Sequence, residues 1–247
     1  MAPTAEPEPL AGHTEKAHLL QHWRQHQFSH IRPFFCQLEA VETAIWLTKV
    51  APNARNTGKS FLEHLANANH DANLGLMRLA LKLATGAGKT TVMTMLIVWQ
   101  TINATRRPNN QRFWRGFLIV APGLTICDRL CVLQPNDPDN YYTSRELVPS
   151  DMLGDRRQAK IVITNYHTFR RRERLELSRG GQALLQGQGQ SLNTLETEGQ
   201  MLQRVMPELM GLKSILVIND EVHHCYHEKP GQADDDDLQG DDRREAE

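Results

Sequence analysis

Short apolar runs alternate along this chain with longer stretches in which apolar residues recur at helical spacing. LGLMRLALKL at 74–83 is an apolar-leaning run that reads as a strand ending in a glycine-rich turn, and KTTVMTMLIVWQTI, from Lys89 to Ile102, follows at once as a helix. Three further runs, FLIVAP at 117–122, KIVITN at 160–165 and SILVIND at 214–220, have the length and β-branched content of buried parallel strands. Helical stretches lie between them. The alternation predicts a doubly wound α/β fold, a mainly parallel sheet with flanking helices, whose ligands bind at the carboxyl ends of the strands. Upstream, His18 to Trp46 is helical in parts and broken at Pro33, with AVETAIWL after Gln37 packing on a core. APNARNTGKS at 51–60 reads as a loop, and the Gly- and Gln-rich stretch at 180–200 reads as an insertion.

Composition narrows the picture. With 247 residues, 40% of them hydrophobic, the chain has material for a substantial core. Its formal charge of -1 is unevenly spread: from Glu228 to Glu247 there are nine acidic and three basic side chains, which leaves the rest at +5. That balance permits contact with nucleic acid without arguing for it. The expected organisation is a lead-in over 1–30, partly disordered, a lobe over 31–227, and a solvated acidic tail over 228–247. Four cysteines, Cys36, Cys127, Cys131 and Cys225, are too few and too irregular for a disulfide framework. The first residues lack the blocks of a signal peptide, and an apolar run such as MLIVW at 95–99 is too short to span a bilayer. A cytoplasmic protein with no membrane contact is the expectation.

The candidate chemistry sits at two strand ends. The strict phosphate-loop pattern GxxxxGK[ST] needs glycine at 83, where Leu83 stands, but the tighter TGAGKT is present at 85–90. Glycines there let backbone N–H groups turn inward around a phosphate, and the helix N-terminus adds positive potential. Lys89 would reach the β- and γ-phosphates, and Thr90 would offer its hydroxyl to Mg²⁺. Thr85, Gly86, Ala87, Gly88, Lys89, Thr90 and Thr91 are thus the candidate ATP-binding residues. A bare GKT could be a turn that merely joins strand to helix; the longer match in its context argues for the site. The second element, Asp220-Glu221-Val222-His223, follows the apolar run ILVIN. There Asp220 would hold Mg²⁺, and Glu221 would orient and deprotonate the water that attacks the γ-phosphate. The neighbouring His223-His224-Cys225-Tyr226-His227 packs its ligands too closely to converge on one zinc ion. The run Arg170-Arg171-Arg172-Glu173-Arg174 reads either as a track for DNA phosphates or as a solvated helix face.

TGAGKT, LIVAPGLTI at 118–126, IVITNYHTF at 161–169 and NDEVHHCY at 219–226 resemble, in that order, the first four conserved segments of the ATPase (Res) subunit of type III restriction enzymes, DEAD/DEAH-type members of helicase superfamily two. The resemblance covers residues 31–227. It implies a single RecA-like lobe, ATP and Mg²⁺ as cofactors, and double-stranded DNA as a partner. RPFFCQLEAVETAI at 32–45 is similar to the family's opening segment, which implies that Gln37 recognises adenine. By the same resemblance Pro122, Gly123, Leu124, Thr164 and Asn165 touch the DNA backbone, and His223 couples the nucleotide site to the DNA site. Lys89, Asp220, Glu221 and His223 form the implied catalytic set.

Enzymes of this kind bind ATP between two lobes, and the second lobe supplies an arginine to the transferring phosphoryl group. No SAT-like segment follows Asp220–His223 before Glu247. The expectation is therefore a first lobe truncated before the second lobe and the nuclease domain, with a partner that supplies the second lobe needed for full turnover, and with that second lobe or a nuclease or modification subunit as the expected protein partner. The alternative is a non-catalytic nucleotide- or DNA-binding fragment, and a P-loop kinase is a third reading, without a recognisable lid or acceptor site.

Overall fold

The computed structural model describes residues 14–54, 56–72, 78–110, 112–172 and 195–220. They divide into two units, Met1–Arg115 with Val132–Ala159 and Gly116–Cys131 with Lys160–Glu247.

The first unit is built on helices. Helix α1 (Thr14–Gln25) places Leu19 and Trp23, four residues apart, on one fully buried stripe. The indole N–H of Trp23 donates to the carbonyl of Leu147 at 2.8 Å, so this buried donor is satisfied. Helix α2 (Phe35–Ile45) begins just after the break expected at Pro33 and buries Val41, Ala44 and Ile45. Arg24 of α1 forks onto the Glu42 carboxylate of α2. A π-helical turn (Trp46–Val50) and a 3-10 turn (Ala51–Asn53) lead into α3 (Asn56–Ala72). The loop expected over 51–60 is therefore mostly helical. Gly58 within it is a close-approach glycine: a Cβ on it would lie 2.3 Å from the Ala51 carbonyl oxygen. Helix α4 (Lys89–Arg106) is the centre of this unit, with Val92, Met95, Ile97, Val98, Trp99 and Ile102 at most 3% exposed. A helix apolar around so much of its surface belongs inside a core.

The strand expected at 74–83 is not observed. Of that stretch, residues 78–83 are described; they run outside any helix or sheet and are largely exposed. The backbone of Arg78 finds its partner in a side chain: its N–H donates to Asn69 Oδ1 and its carbonyl accepts from Asn69 Nδ2, both at 2.9 Å. One amide thus supplies the donor and acceptor that a neighbouring strand would have offered.

In the second unit three parallel strands, β1 (Gly116–Ala121), β2 (Lys160–Asn165) and β3 (Leu216–Asn219), take the order β2-β1-β3. The central β1 buries Phe117, Leu118 and Ile119, as a strand covered on both faces must. Helix α5 (Leu124–Leu130) follows β1 directly. Residues 198–200, expected to end the insertion, instead begin the helix Glu198–Val205, capped by reciprocal hydrogen bonds between Thr197 and Gln200. From that helix Arg204 clamps the chain after β2, donating to the carbonyls of Thr168 and Arg170 and to the Glu196 carboxylate, which this hydrogen bond holds below the usual carboxylate range. Within the basic run Arg171 pairs with Glu198 at 2.6 Å on an exposed face; Glu173 and Arg174 lie outside the described residues.

The lead-in over 1–13, most of the 180–200 insertion and the acidic tail also lie outside the described residues. Among the described residues no helix is long and apolar enough to cross a membrane, and Cys36, Cys127 and Cys131 form no disulfide.

Candidate nucleotide-binding site

The loop Thr85–Gly88 turns the chain from the extended stretch before it into α4. Two glycines make the turn, Gly86 at φ +79° and Gly88 at φ +75°, both in the left-handed region that other residues enter at a cost. The N–H of Ala87 donates to the Ala84 carbonyl at 3.1 Å, and that of Thr91 to the Gly88 carbonyl at 3.0 Å. Gly88 is the N-cap of α4 and brings no capping side chain, so the helix opens with backbone donors and the positive end of its dipole toward the loop. Around Gly86 there is room: a Cβ there would meet nothing within 4 Å. These features, with Lys89 as the first helical residue, fit a phosphate group. Lys89 and Thr90 are partly exposed, whereas Thr91 is 2% exposed.

Gln37 fixes the loop from α2. Its Nε2 donates to the Ala87 carbonyl at 2.7 Å and its Oε1 accepts from the Phe34 N–H at 2.9 Å. Side chain and loop are so close that a Cβ on Gly88 would lie 2.4 Å from Gln37 Nε2. Gln37 is 3% exposed and both ends of its amide are taken by protein groups. The structure thus brings together the sequence candidates Gln37 and Thr85–Thr91.

It also brings in a residue that the sequence did not single out. Arg145 donates from Nη1 to the Thr91 hydroxyl at 3.3 Å and lies over the Tyr141 ring, 4.0 Å from its centre. Nothing in the polar run NYYTSREL marks this arginine before the fold is known.

In the second unit the remaining candidates among the described residues lie at the carboxyl ends of the parallel strands. Gly123 is the N-cap of α5, in extended backbone, and Leu124 is exposed. Asn165, 6% exposed, caps the turn Tyr166–Phe169 by accepting from the Thr168 N–H at 3.0 Å, while the hydroxyls of Thr164 and Thr168 are 2.6 Å apart. Asp220 follows β3, and its N–H donates to the Val120 carbonyl at 2.9 Å. Since Ala121 pairs with Asn165 and Val120 with Asn219, Asp220 comes level with the ends of β1 and β2. Glu221 and His223, with the whole His223–His227 cluster, lie outside the described residues, and no metal-ligand cluster is present among the described ones.

A glycine loop heading a buried helix, in a chain whose parallel strand runs into an Asp-Glu pair, defines a helicase-type ATP-binding lobe with a RecA-like α/β fold. The family model for the type III restriction enzyme, res subunit, matches residues 30–236, and the chain belongs to that family. Comparison with curated proteins and with solved structures finds no match.

Proposed function

We propose that this chain binds ATP with Mg²⁺ and serves as the nucleotide-driven lobe of a DNA-dependent translocase. The observation that carries the reading is the loop itself: two left-handed glycines, anchored by Gln37, open onto α4 in a chain of the res-subunit family. In this reading the backbone donors of Gly86–Gly88 and the Lys89 ammonium hold the β- and γ-phosphates, and the Thr90 hydroxyl contributes to Mg²⁺. Mg²⁺ keeps several of its waters and takes few protein ligands, which suits one hydroxyl and one carboxylate, that of Asp220. The bound ion would neutralise charge on the phosphates, and Glu221 would orient and deprotonate the attacking water. His223 would report nucleotide state to the DNA site.

DNA is the proposed macromolecular partner. Pro122, Gly123, Leu124, Thr164 and Asn165 share one end of the sheet, where α/β sheets place their ligands. A second lobe would supply the arginine that completes turnover, and a nuclease or modification subunit is a further proposed partner.

The test is a calorimetric titration of Mg²⁺-ATP into the whole chain and into Lys89→Ala. Saturable binding that the variant loses supports the site, and unchanged affinity in the variant would overturn it. ATP hydrolysis stimulated by duplex DNA and abolished in Glu221→Gln would assign the lobe to a working translocase; binding without turnover, with partner subunits present, would make it a non-catalytic module.

A further inference from the structure

Arginine is almost never fully buried without a partner, because a guanidinium with unmet donors is costly to desolvate. Arg145 is partly buried, yet among the described residues it meets no carboxylate. One of its five N–H donors reaches the neutral hydroxyl of Thr91, at the long distance of 3.3 Å, and its planar face rests on Tyr141. The nearest carboxylate in sequence, Glu146, is committed elsewhere: its oxygens accept from the Ser29 N–H at 3.1 Å and lie 2.9 Å from His26 Nε2.

The backbone around Arg145 is also held in an uncommon state. Glu146 has φ +51°, the only left-handed residue other than glycine among those described. A conformation that costs about 1–2 kcal/mol persists only where its surroundings impose it. Here His22 of α1, His26 just after it, Ser29, and the N–H of Leu147 donating to the Tyr142 carbonyl at 3.1 Å all pin the turn. The turn directs Glu146 to one side and Arg145 to the other, toward Thr91, two positions beyond the phosphate-loop lysine.

We propose that Arg145 is a further phosphate-binding residue of this lobe, a cation held ready beside the loop for the phosphates of a nucleoside triphosphate. Arginine suits that task, since its planar fork matches phosphate oxygens and its stacking on Tyr141 removes rotamer freedom before the ligand arrives. The proposal rests on the nucleotide-binding reading above. It adds a positive group from within the chain, separate from any arginine of a second lobe.

The test uses the full chain. Mg²⁺-ATP, Mg²⁺-ADP and AMP are titrated into wild type, Arg145→Gln, Arg145→Lys and Lys89→Ala. Arg145→Gln should weaken ATP roughly tenfold, in line with the loss of one charged hydrogen bond. AMP should change by less than about twofold, and Arg145→Lys should recover part of the ATP affinity. Wild-type ATP affinity in Arg145→Gln, with binding lost in Lys89→Ala, overturns the proposal and leaves the nucleotide site standing. Equal weakening of ATP and AMP also overturns it, since that marks a purely structural arginine. Absence of saturable ATP binding in the folded wild type removes the underlying reading and the proposal with it. If Arg145→Gln does not fold, phenylglyoxal labelling of the wild type decides: Mg²⁺-ATP should slow modification of Arg145 and AMP should not, and equal rates with and without saturating ATP overturn the assignment.

Discussion

Gln37 Nε2 lies 2.7 Å from the carbonyl oxygen of Ala87, and the same amide's oxygen accepts the N–H of Phe34, so one side chain ties the start of α2 to the phosphate loop. Gln37→Ala should therefore loosen the loop whatever base the nucleotide carries. ATP and GTP affinities are expected to fall together, several-fold each, with their ratio changed by less than about twofold, as befits the loss of about one hydrogen bond on the protein side. Paired titrations measure this. A collapse of the ratio instead would return Gln37 to the adenine-reading role that the family resemblance implies.

The two loop glycines separate backbone strain from crowding. Gly86→Ala meets nothing within 4 Å and should cost only the left-handed penalty, about 1 kcal/mol. Gly88→Ala carries that penalty and also drives a methyl against Gln37 Nε2. It should lower the urea midpoint more than Gly86→Ala does and should weaken Mg²⁺-ATP binding. Equal midpoints would show that the loop moves away from Gln37 without cost.

Acid should destabilise the first unit in two windows. Burial lowers the pKa of His22 from its ordinary 6.5, outweighing the hydrogen bond to the Glu146 carbonyl. The unfolded chain then binds the proton more readily, so stability is full above about pH 6.5 and declines below it until the folded-state value is passed. Glu146 is held below the usual carboxylate range by its hydrogen bonds from His26 and Ser29. Its contribution is present above roughly pH 4.3 and is lost as the pH falls through the depressed value. Urea midpoints followed from pH 8 downward should show both declines, with His22→Gln flattening the upper window and Glu146→Gln the lower.

Lys49 gives the opposite edge of the profile. Its ammonium sits among the rings of Phe113, Trp99 and Trp114, at 4.4, 5.5 and 5.7 Å from their centres, and donates to the Arg112 carbonyl. Burial, with the nearby Arg112 charge, lowers its pKa to about 8. The unfolded chain holds this proton up to about pH 10.4, so stability should rise between these two values as the folded protein sheds the charge. Lys49→Met should remove that rise, and an unchanged pH slope in the variant would refute the assignment.

Much of the second unit was legible in the sequence because its strands are self-announcing. KIVITN coincides with β2 and FLIVAP overlaps β1 within one residue, since buried parallel strands need continuous β-branched runs whatever their neighbours. Helix α4 was equally plain, and TGAGKT marked the turn before it. The stretch at 74–83 misled because a strand is defined by its partner, and here the partner of Arg78 is Asn69, a side chain with no pattern to betray it. The stretch 51–60 reads as a loop in sequence because a glycine serves close approach, as Gly58 does against Ala51, as readily as it serves a loop. Arg145 could not be found at all: its relation to Thr91 spans 54 positions and exists only once α4 and the turn at Glu146 are in place.

The bracket that Asn69 places on Arg78 gives the phosphate loop unequal ends. Downstream, the loop is continuous with a helix whose amide hydrogens are locked by the core, and these should exchange with solvent only on large-scale opening. Upstream, residues 79–83 join no strand ladder among the described residues, and their amides should exchange within the fastest class of the unit. A phosphate settling into the loop therefore pushes against a fixed wall on one side and a yielding approach on the other. Isotope labelling in the presence of nucleotide should register occupancy first at 79–83, which makes this segment the natural reporter of whether the lobe is loaded.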